Sequence, residues 1–246
     1  MKKIQLSFIA VLLLGAVACQ KNGNSPSMSS NVSNAEAADI AAGSISRNSN
    51  GVANVSDDAT ANAAVVVSTH VACGTIRSDT ISRKSPAGLP VTYSYNLTYN
   101  FTVNCSNNVP DSLASSLIYS GSFSGPHVSS SNSGSSIFTV NGLLPAATTF
   151  VLNGEYKRAG TFQSKIDTTN HGNSNVDIVV TALTVTKSTH TIASGNASIS
   201  VTGSVPKKGS FSYTGTLVFN GNNTATLTLN GTVYTINLAD GTRIRV

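Results

Sequence analysis

From Val91 to Cys105 the chain reads VTYSYNLTYNFTVNC, and its hydrophobic and polar positions alternate without exception. Val91, Tyr93, Tyr95, Leu97, Tyr99, Phe101, Val103 and Cys105 hold the odd positions, and Thr, Ser or Asn hold every even one. A side-chain period of two belongs to a β-strand, and a face of this kind on only one side belongs to an antiparallel sheet with one face on a core and the other in water. The period returns along the chain and predicts strands over 116–123, 137–140, 149–162, 176–186, 191–205, 210–219, 224–229, 232–238 and 242–246. In 149–162, Phe150, Leu152, Tyr156 and Phe162 share one parity, which puts Glu155 and Lys157 on the opposite face, with Gly154 and Gly160 as bulge points. Phe211, Tyr213, Leu217 and Phe219 form a second such face, and Gly195 breaks the phase of its strand and predicts a bulge.

The joints are turn signals: Pro206-Lys207-Lys208-Gly209, Asn220-Gly221, Asn230-Gly231 and Asp240-Gly241, of which the last two fit two-residue type I′ hairpins. Hairpins in succession make neighbours in sequence neighbours in the sheet. The predicted fold is therefore all-β, an antiparallel meander forming either a two-sheet sandwich or a strongly curved, half-barrel-like sheet. The run from Ser129 to Ser136 has no apolar residue and reads as a mobile surface loop.

The chain opens differently. Lys2 and Lys3 precede an apolar run from Phe8 to Val17, too short to span a bilayer and flanked as an export signal is. That run ends Ala16-Val17-Ala18-Cys19, which resembles the lipobox of bacterial lipoprotein precursors, although Ala16 stands where Leu is favoured. The resemblance covers the signal alone and implies acylation of Cys19, cleavage before it and membrane anchoring through the lipid. With no Asp after the cysteine it also implies the outer membrane of the cell envelope. The other reading is an ordinary secreted protein cut after Ala18. Residues 1–18 are thus expected as the signal peptide. Residues 19–64, rich in Asn, Ser and Ala and poor in large apolar groups, are expected as a flexible tether, with a fraying helix over 34–42 capped by Asn34. Residues 65–246 are expected as a single β domain starting with the apolar run at Ala64 to Val67.

Composition narrows the function classes. Charged residues make up 10% of the chain, and without Lys2 and Lys3 only 13 Lys and Arg stand against 10 Asp and Glu, which is no nucleic-acid footprint. Beyond Cys19 there are two cysteines, Cys73 and Cys105, and an even pair in an oxidising compartment predicts a disulfide. A hairpin turn at Lys84 to Gly88 places Cys73 opposite residue 101, so a bulge or a different neighbour is needed to bring Cys105 across.

The candidates for chemistry are sparse. Arg77, Asp79, Arg83 and Lys84 make a charged patch, read as a protected edge before an acidic-ligand site. Asp57 and Asp58 read as a solvated pair, and Arg243 and Arg245 as protection of the terminal edge. His70, His127, His171 and His190 form no metal-binding spacing, and no phosphate loop, nucleophile elbow or zinc-peptidase motif is present. Glu155 is the carboxylate of interest, with Asp167 or Asp177 as the second group that acid–base chemistry on a glycoside requires; a cross-strand ion pair is the favoured reading. The tyrosines of the opening strand are assigned to the core before a sugar-stacking platform.

No catalytic residues, metal or cofactor are therefore expected. The expectation is a non-enzymatic envelope protein that binds or builds through its β domain. Its partners are the membrane, through Cys19, and an unidentified protein, glycan or lipid. The alternatives are a carrier holding an apolar ligand in a half-open barrel and a fimbria-like subunit that assembles by strand exchange.

Overall fold

The chain forms one antiparallel sheet in which each strand pairs with the next in sequence. The structure is a computed structural model describing residues 32–246. The expected export signal, Cys19 and the first part of the expected tether lie outside the described residues. The strands are β1 (Ile76–Lys84), β2 (Thr92–Ser106), β3 (Val109–Ser124), β4 (Val128–Asn141), β5 (Thr149–Ser164), β6 (His171–Thr186), β7 (Thr191–Val205), β8 (Gly209–Gly221), β9 (Thr224–Leu229), β10 (Thr232–Asn237) and β11 (Arg243–Arg245). The meander and the all-β class are as expected. There is one curved sheet and no sandwich, and it is not closed, because β1 and β11 are its two free edges.

Asparagines at positive φ make the tight turns. Asn107-Asn108 (φ 51° and 63°) joins β2 to β3, Asn222-Asn223 (48° and 60°) joins β8 to β9, and Asn230-Gly231 (42° and 79°) joins β9 to β10. Two consecutive positive φ values are what a type I′ turn needs to follow the twist of its strands. Asp240-Gly241 does not form one: only Gly241 is at positive φ, and the connection spans 238–242. Register shifts at Leu152/Gly154, Thr181/Thr184 and Phe219/Gly221 add coil to the sheet. The first involves Gly154 and the second lies opposite Gly195, two of the expected bulge points; Gly160 pairs in regular register.

Two segments differ from expectation because small residues carry little sign of burial in the sequence. Ser129 to Ser136 is no loop but part of β4, paired on both sides by β3 and β5. Its inward residues are small because large side chains face them. A Cβ on Gly134 would lie 2.5 Å from the Tyr119 hydroxyl, and Asn132 donates from Nδ2 to the Tyr95 hydroxyl at 3.3 Å. Likewise the tether is, from Asn34 onward, two buried helices: α1 (Asn34–Ile45) and α2 (Val52–Thr69), joined through a 3₁₀ turn at Arg47–Ser49. The folded part begins by Val32, not at residue 65.

Ser33, not Asn34, caps α1: its side chain accepts from the Glu36 N–H while the Glu36 carboxylate accepts from the Ser33 N–H, a complete capping box. Every residue from Glu36 to Ile45 is buried, so α1 is surrounded on all sides, as a helix of Ala, Gly, Ile and Ser can be. In α2, Val52, Val55, Ala59, Ala63 and Val66 recur at helical spacing on the buried face, and the run at Ala64 to Val67 is the last turns of this helix.

The sheet winds around these helices. α1 touches β4, β5, β6, β7, β9, β10 and β11. In a flat sheet β4 and β11 would lie about 34 Å apart at the usual strand spacing, several times what a helix about 10–12 Å wide can touch. The inward faces of the strands, including Leu97, Tyr99, Leu117, Phe138, Leu152, Ile178, Leu217 and Leu227, pack into one core with Ala37, Ala41, Ile45, Val52, Val55 and Ala59.

Acidic residues of both helices fasten them in place. Asp39 holds Arg243 through Nε (2.7 Å) and Nη2 (2.9 Å) and accepts the His127 ring at 3.1 Å. Asp58 holds both Arg83 nitrogens (2.8 and 2.6 Å) and the Tyr99 hydroxyl, Asp57 holds Arg47, and Glu36 holds Asn170 (3.0 Å). Asp57 and Asp58 are therefore not a solvated pair. Arg243 does not guard the edge, since it points inward to Asp39; Arg245 remains exposed.

At the centre sits Arg158, fully buried on the inward face of β5. Its Nη1 donates to the Gly43 carbonyl at 2.6 Å, Nη2 to the carbonyls of Ser49 and Asn50, and Nε to the Tyr119 hydroxyl at 3.2 Å. Phe123, Tyr156 and Tyr119 stack around it at 5.4, 5.7 and 5.9 Å from their ring centroids. Among the described residues no carboxylate pairs with it. Burial alone would favour losing the proton, yet with the tyrosines around it and the hydrogen bond to the Tyr119 hydroxyl the pKa of Arg158 is raised, and the guanidinium stays charged.

Cys73 and Cys105 are bridged, with Cα atoms 5.7 Å apart. The β1–β2 connection runs over 85–91, longer than the expected turn, so Ile76 lies opposite Thr102. Gly74 donates to Val103 (2.9 Å) and Val103 to Thr75 (3.0 Å), which carries the ladder on until Cys73 meets Cys105 in register. The expected need for a bulge between these two strands is removed.

Two stability tests follow from this packing. Arg158→Met takes a charged donor from three buried carbonyls, of which Asn50 keeps the Tyr156 hydroxyl and Gly43 the Ser49 hydroxyl, and should cost about 3–5 kcal/mol in urea unfolding; Arg158→Lys, which keeps the charge and loses the planar fork, should cost less. Reducing the Cys73–Cys105 bridge frees a 32-residue separation. It should lower the unfolding free energy by about 3–4 kcal/mol, read from urea curves with and without reductant.

Candidate functional site

With the concave face filled by helices, the open surfaces are on the outside of the sheet. A depression of about 1020 Å³ lies there across β2 to β6, near the end where β1 turns into β2. The alternation builds it. Ser94, Ser122, Ser131, Thr161 and Asn173 lie side by side across five strands, and Thr92, Ser124, Ser129, Gln163 and His171 form the next row. Neighbouring rows are about 6.8 Å apart along the strands and neighbouring residues about 4.8 Å apart across them. Lys84, Ser85, Pro86 and Ala87 wall one side and Pro206 reaches the other. The result is a shallow trough in which hydroxyl and amide groups stand in rows over a largely apolar surface, with Lys84 as the one Lys, Arg, Asp or Glu in the lining. Such a surface offers many donors and acceptors at regular spacing to a ligand that is itself neutral and hydroxylated.

Further along β4 to β6 the outer face turns charged. In register Lys157 faces Asp177 and Glu155 faces Val179, so Glu155, Lys157 and Asp177 form one cluster beside a depression of about 480 Å³. Lys157 Nζ lies 2.8 Å from Glu155 Oε2. Of the two carboxylates expected as partners of Glu155, the sheet brings Asp177. Asp167 is away in the β5–β6 connection, where it accepts from the Thr169 N–H and hydroxyl. Asp177 is pushed above the ordinary aspartate range, first by burial and then by the charge of Glu155, and its Oδ1 is buried without a hydrogen-bond partner. The Lys157 and Glu155 side chains are 53% and 38% exposed, so water and salt reach the cluster. The ion pair therefore lies within β5, between residues two apart on one face, and not across strands as expected, because the cross-strand neighbour of Glu155 is Val179; Asp177 stands beside the pair as a second carboxylate on the outside of the sheet.

The remaining sequence candidates are scattered. Tyr95, Tyr99 and their strand neighbours face the core. Arg83 is spent on Asp58, while Arg77, Asp79 and Lys84 stay exposed on β1. His70, His127, His171 and His190 lie on separate elements, and among the described residues no three His, Cys, Asp or Glu side chains are grouped for a metal ion. Sequence reasoning missed the hydroxyl rows, although their signal was the even positions of the alternation, and it missed Arg158, which shares the parity of Tyr156 and Phe162.

Because the folded pKa of Asp177 is raised, its ionised form opposes folding at neutral pH, and that cost fades as pH falls through the folded pKa to below the ordinary value of 3.8. Asp177→Asn should raise the melting temperature at pH 7 by roughly 1–2 °C and leave it unchanged near pH 3, in scanning calorimetry at both values.

Comparison with protein-family models, with curated proteins and with solved structures finds no match for this chain.

Proposed function

We propose that this chain is a lipid-anchored envelope protein whose β domain is a non-enzymatic binding module for a neutral glycan, taken up on the outer face of the sheet. The observation that carries the reading is the trough built from the rows of Ser94 and Thr92, which is open, carries hydroxyl and amide groups over a largely apolar surface as a sugar's two faces require, and has Lys84 as the one Lys, Arg, Asp or Glu in its lining. A glycan strand presents hydroxyls at comparable spacing and needs neither a counter-charge nor a metal. The carrier alternative is less well supported, because α1 and α2 occupy the concave face where an apolar ligand would sit. The assembly alternative has one observation in its favour: β1 is a free edge and is exposed on both faces from Ile76 to Thr80. Concentration-dependent oligomers in size-exclusion chromatography with light scattering would move the choice to it.

Two measurements test the reading. Intact mass of the protein from bacterial envelopes should show cleavage before Cys19 and acyl chains upon it. In a glycan array followed by titration calorimetry, the protein should bind neutral oligosaccharides, and Ser131→Lys with Thr161→Lys should weaken binding at least tenfold without lowering the melting temperature. Absence of binding to any neutral glycan would refute the assignment of the trough.

A further inference from the structure

The connections β1–β2, β3–β4, β5–β6 and β7–β8 gather at one end of the sheet, and their chemistry differs from the neutral outer face. Lys84 and Lys207 are exposed there, with Lys165 and Lys208 beside them; Asp167, near Lys208 (3.9 Å), is the acid of the β5–β6 connection. Between these lysines two large apolar side chains stand out of the tips: Leu89, 42% exposed, and Ile166, 58% exposed. Pro86, Pro90, Pro126 and Pro206 fix the backbone of the rim, and Lys165 Nζ ties the β5–β6 tip to the β3–β4 turn through Ser124 Oγ (2.8 Å) and the Gly125 carbonyl (2.7 Å). The β3–β4 and β5–β6 tips are thus held to each other.

The described chain also starts at this end. Glu36, in the first turn of α1, bonds Asn170 of the β5–β6 connection, and the Val32 carbonyl accepts from Tyr213, four residues into β8 from its turn. From these facts we propose that this rim docks on an anionic bilayer surface, with Leu89 and Ile166 entering the headgroup boundary and the lysines meeting acidic headgroups. Basic residues near such a surface each add attraction, and apolar tips add the burial that fixes depth. The inference rests on the lipid-anchored reading for its orientation: a chain leaving this rim toward an anchor holds the rim against the bilayer, and the glycan trough then opens sideways.

The absence of tryptophan from the chain makes the test direct. Single reporters Leu89→Trp, Ile166→Trp and, at the opposite end, Leu144→Trp are placed in the mature unacylated protein (Cys19→Ser). Each is mixed with vesicles of phosphatidylglycerol and phosphatidylethanolamine whose acyl chains are brominated. Docking requires blue-shifted, quenched emission from the first two reporters and water-like emission from the third. Adding Lys84→Gln with Lys207→Gln, or raising the salt, should weaken vesicle binding at least tenfold. Water-like emission at Leu89→Trp and Ile166→Trp, or equal quenching of all three, overturns the proposal. The anchor is judged separately by the mass at Cys19. An acylated chain with unquenched tips leaves the anchor standing and removes the docking; quenched tips on a chain never acylated do the reverse.

Discussion

A single buried guanidinium holds this architecture together. The last carbonyls of α1 and of the turn after it have no helical partner, and inside a curled sheet they have no water either. Arg158 supplies what is missing: a planar fork of donors aimed at Gly43, Ser49 and Asn50, and a positive charge at the negative end of a helix dipole. The three aromatic rings around it, Tyr119, Phe123 and Tyr156, replace part of the hydration the charge loses on burial. Without this contact the helix ends would be the least tolerable groups in the core.

Much of what looks odd in the sequence answers to that contact. Gly43 has no side chain because a Cβ there would meet the Phe123 ring at 2.4 Å, the same ring that stacks on Arg158. The middle of β4 is built of Ser, Asn and Gly because there its inward positions border the tyrosines that surround the guanidinium, as Asn132 does Tyr95 and Gly134 does Tyr119. Tyr119 bonds Tyr156 at 2.6 Å and Tyr156 bonds the Asn50 carbonyl at 2.8 Å, so strands β3 and β5 and the 3₁₀ turn share one polar network. The acidic clamps at Asp39 and Asp58 repeat the scheme at lower burial.

The same packing decides where function is sought. A sheet curled around two helices has no interior left for a ligand, and its outward positions are Ser, Thr and Asn with few charges. The surfaces left for the proposed binding are the outer face, with its rows of hydroxyl groups, and the rim, which is basic with apolar tips.

The sequence by itself determined the sheet. Alternation over Val91 to Cys105 fixed which residues of β2 face inward, and the turn asparagines and glycines made sequence neighbours sheet neighbours, because both signals are local and have a period set by the backbone. It also determined the pairing of Cys73 with Cys105. Only the tertiary structure decided that residues 34–69 form helices within the core, that β4 is a strand, that Asp177 rather than Asp167 stands beside Glu155, and that the outer hydroxyls line up into a trough. Each of these depends on what lies opposite. Alanine and serine carry too little surface to announce burial, so their conformation is set by the partners that enclose them: the curled sheet around α1, and β3, β5 and Arg158 around β4.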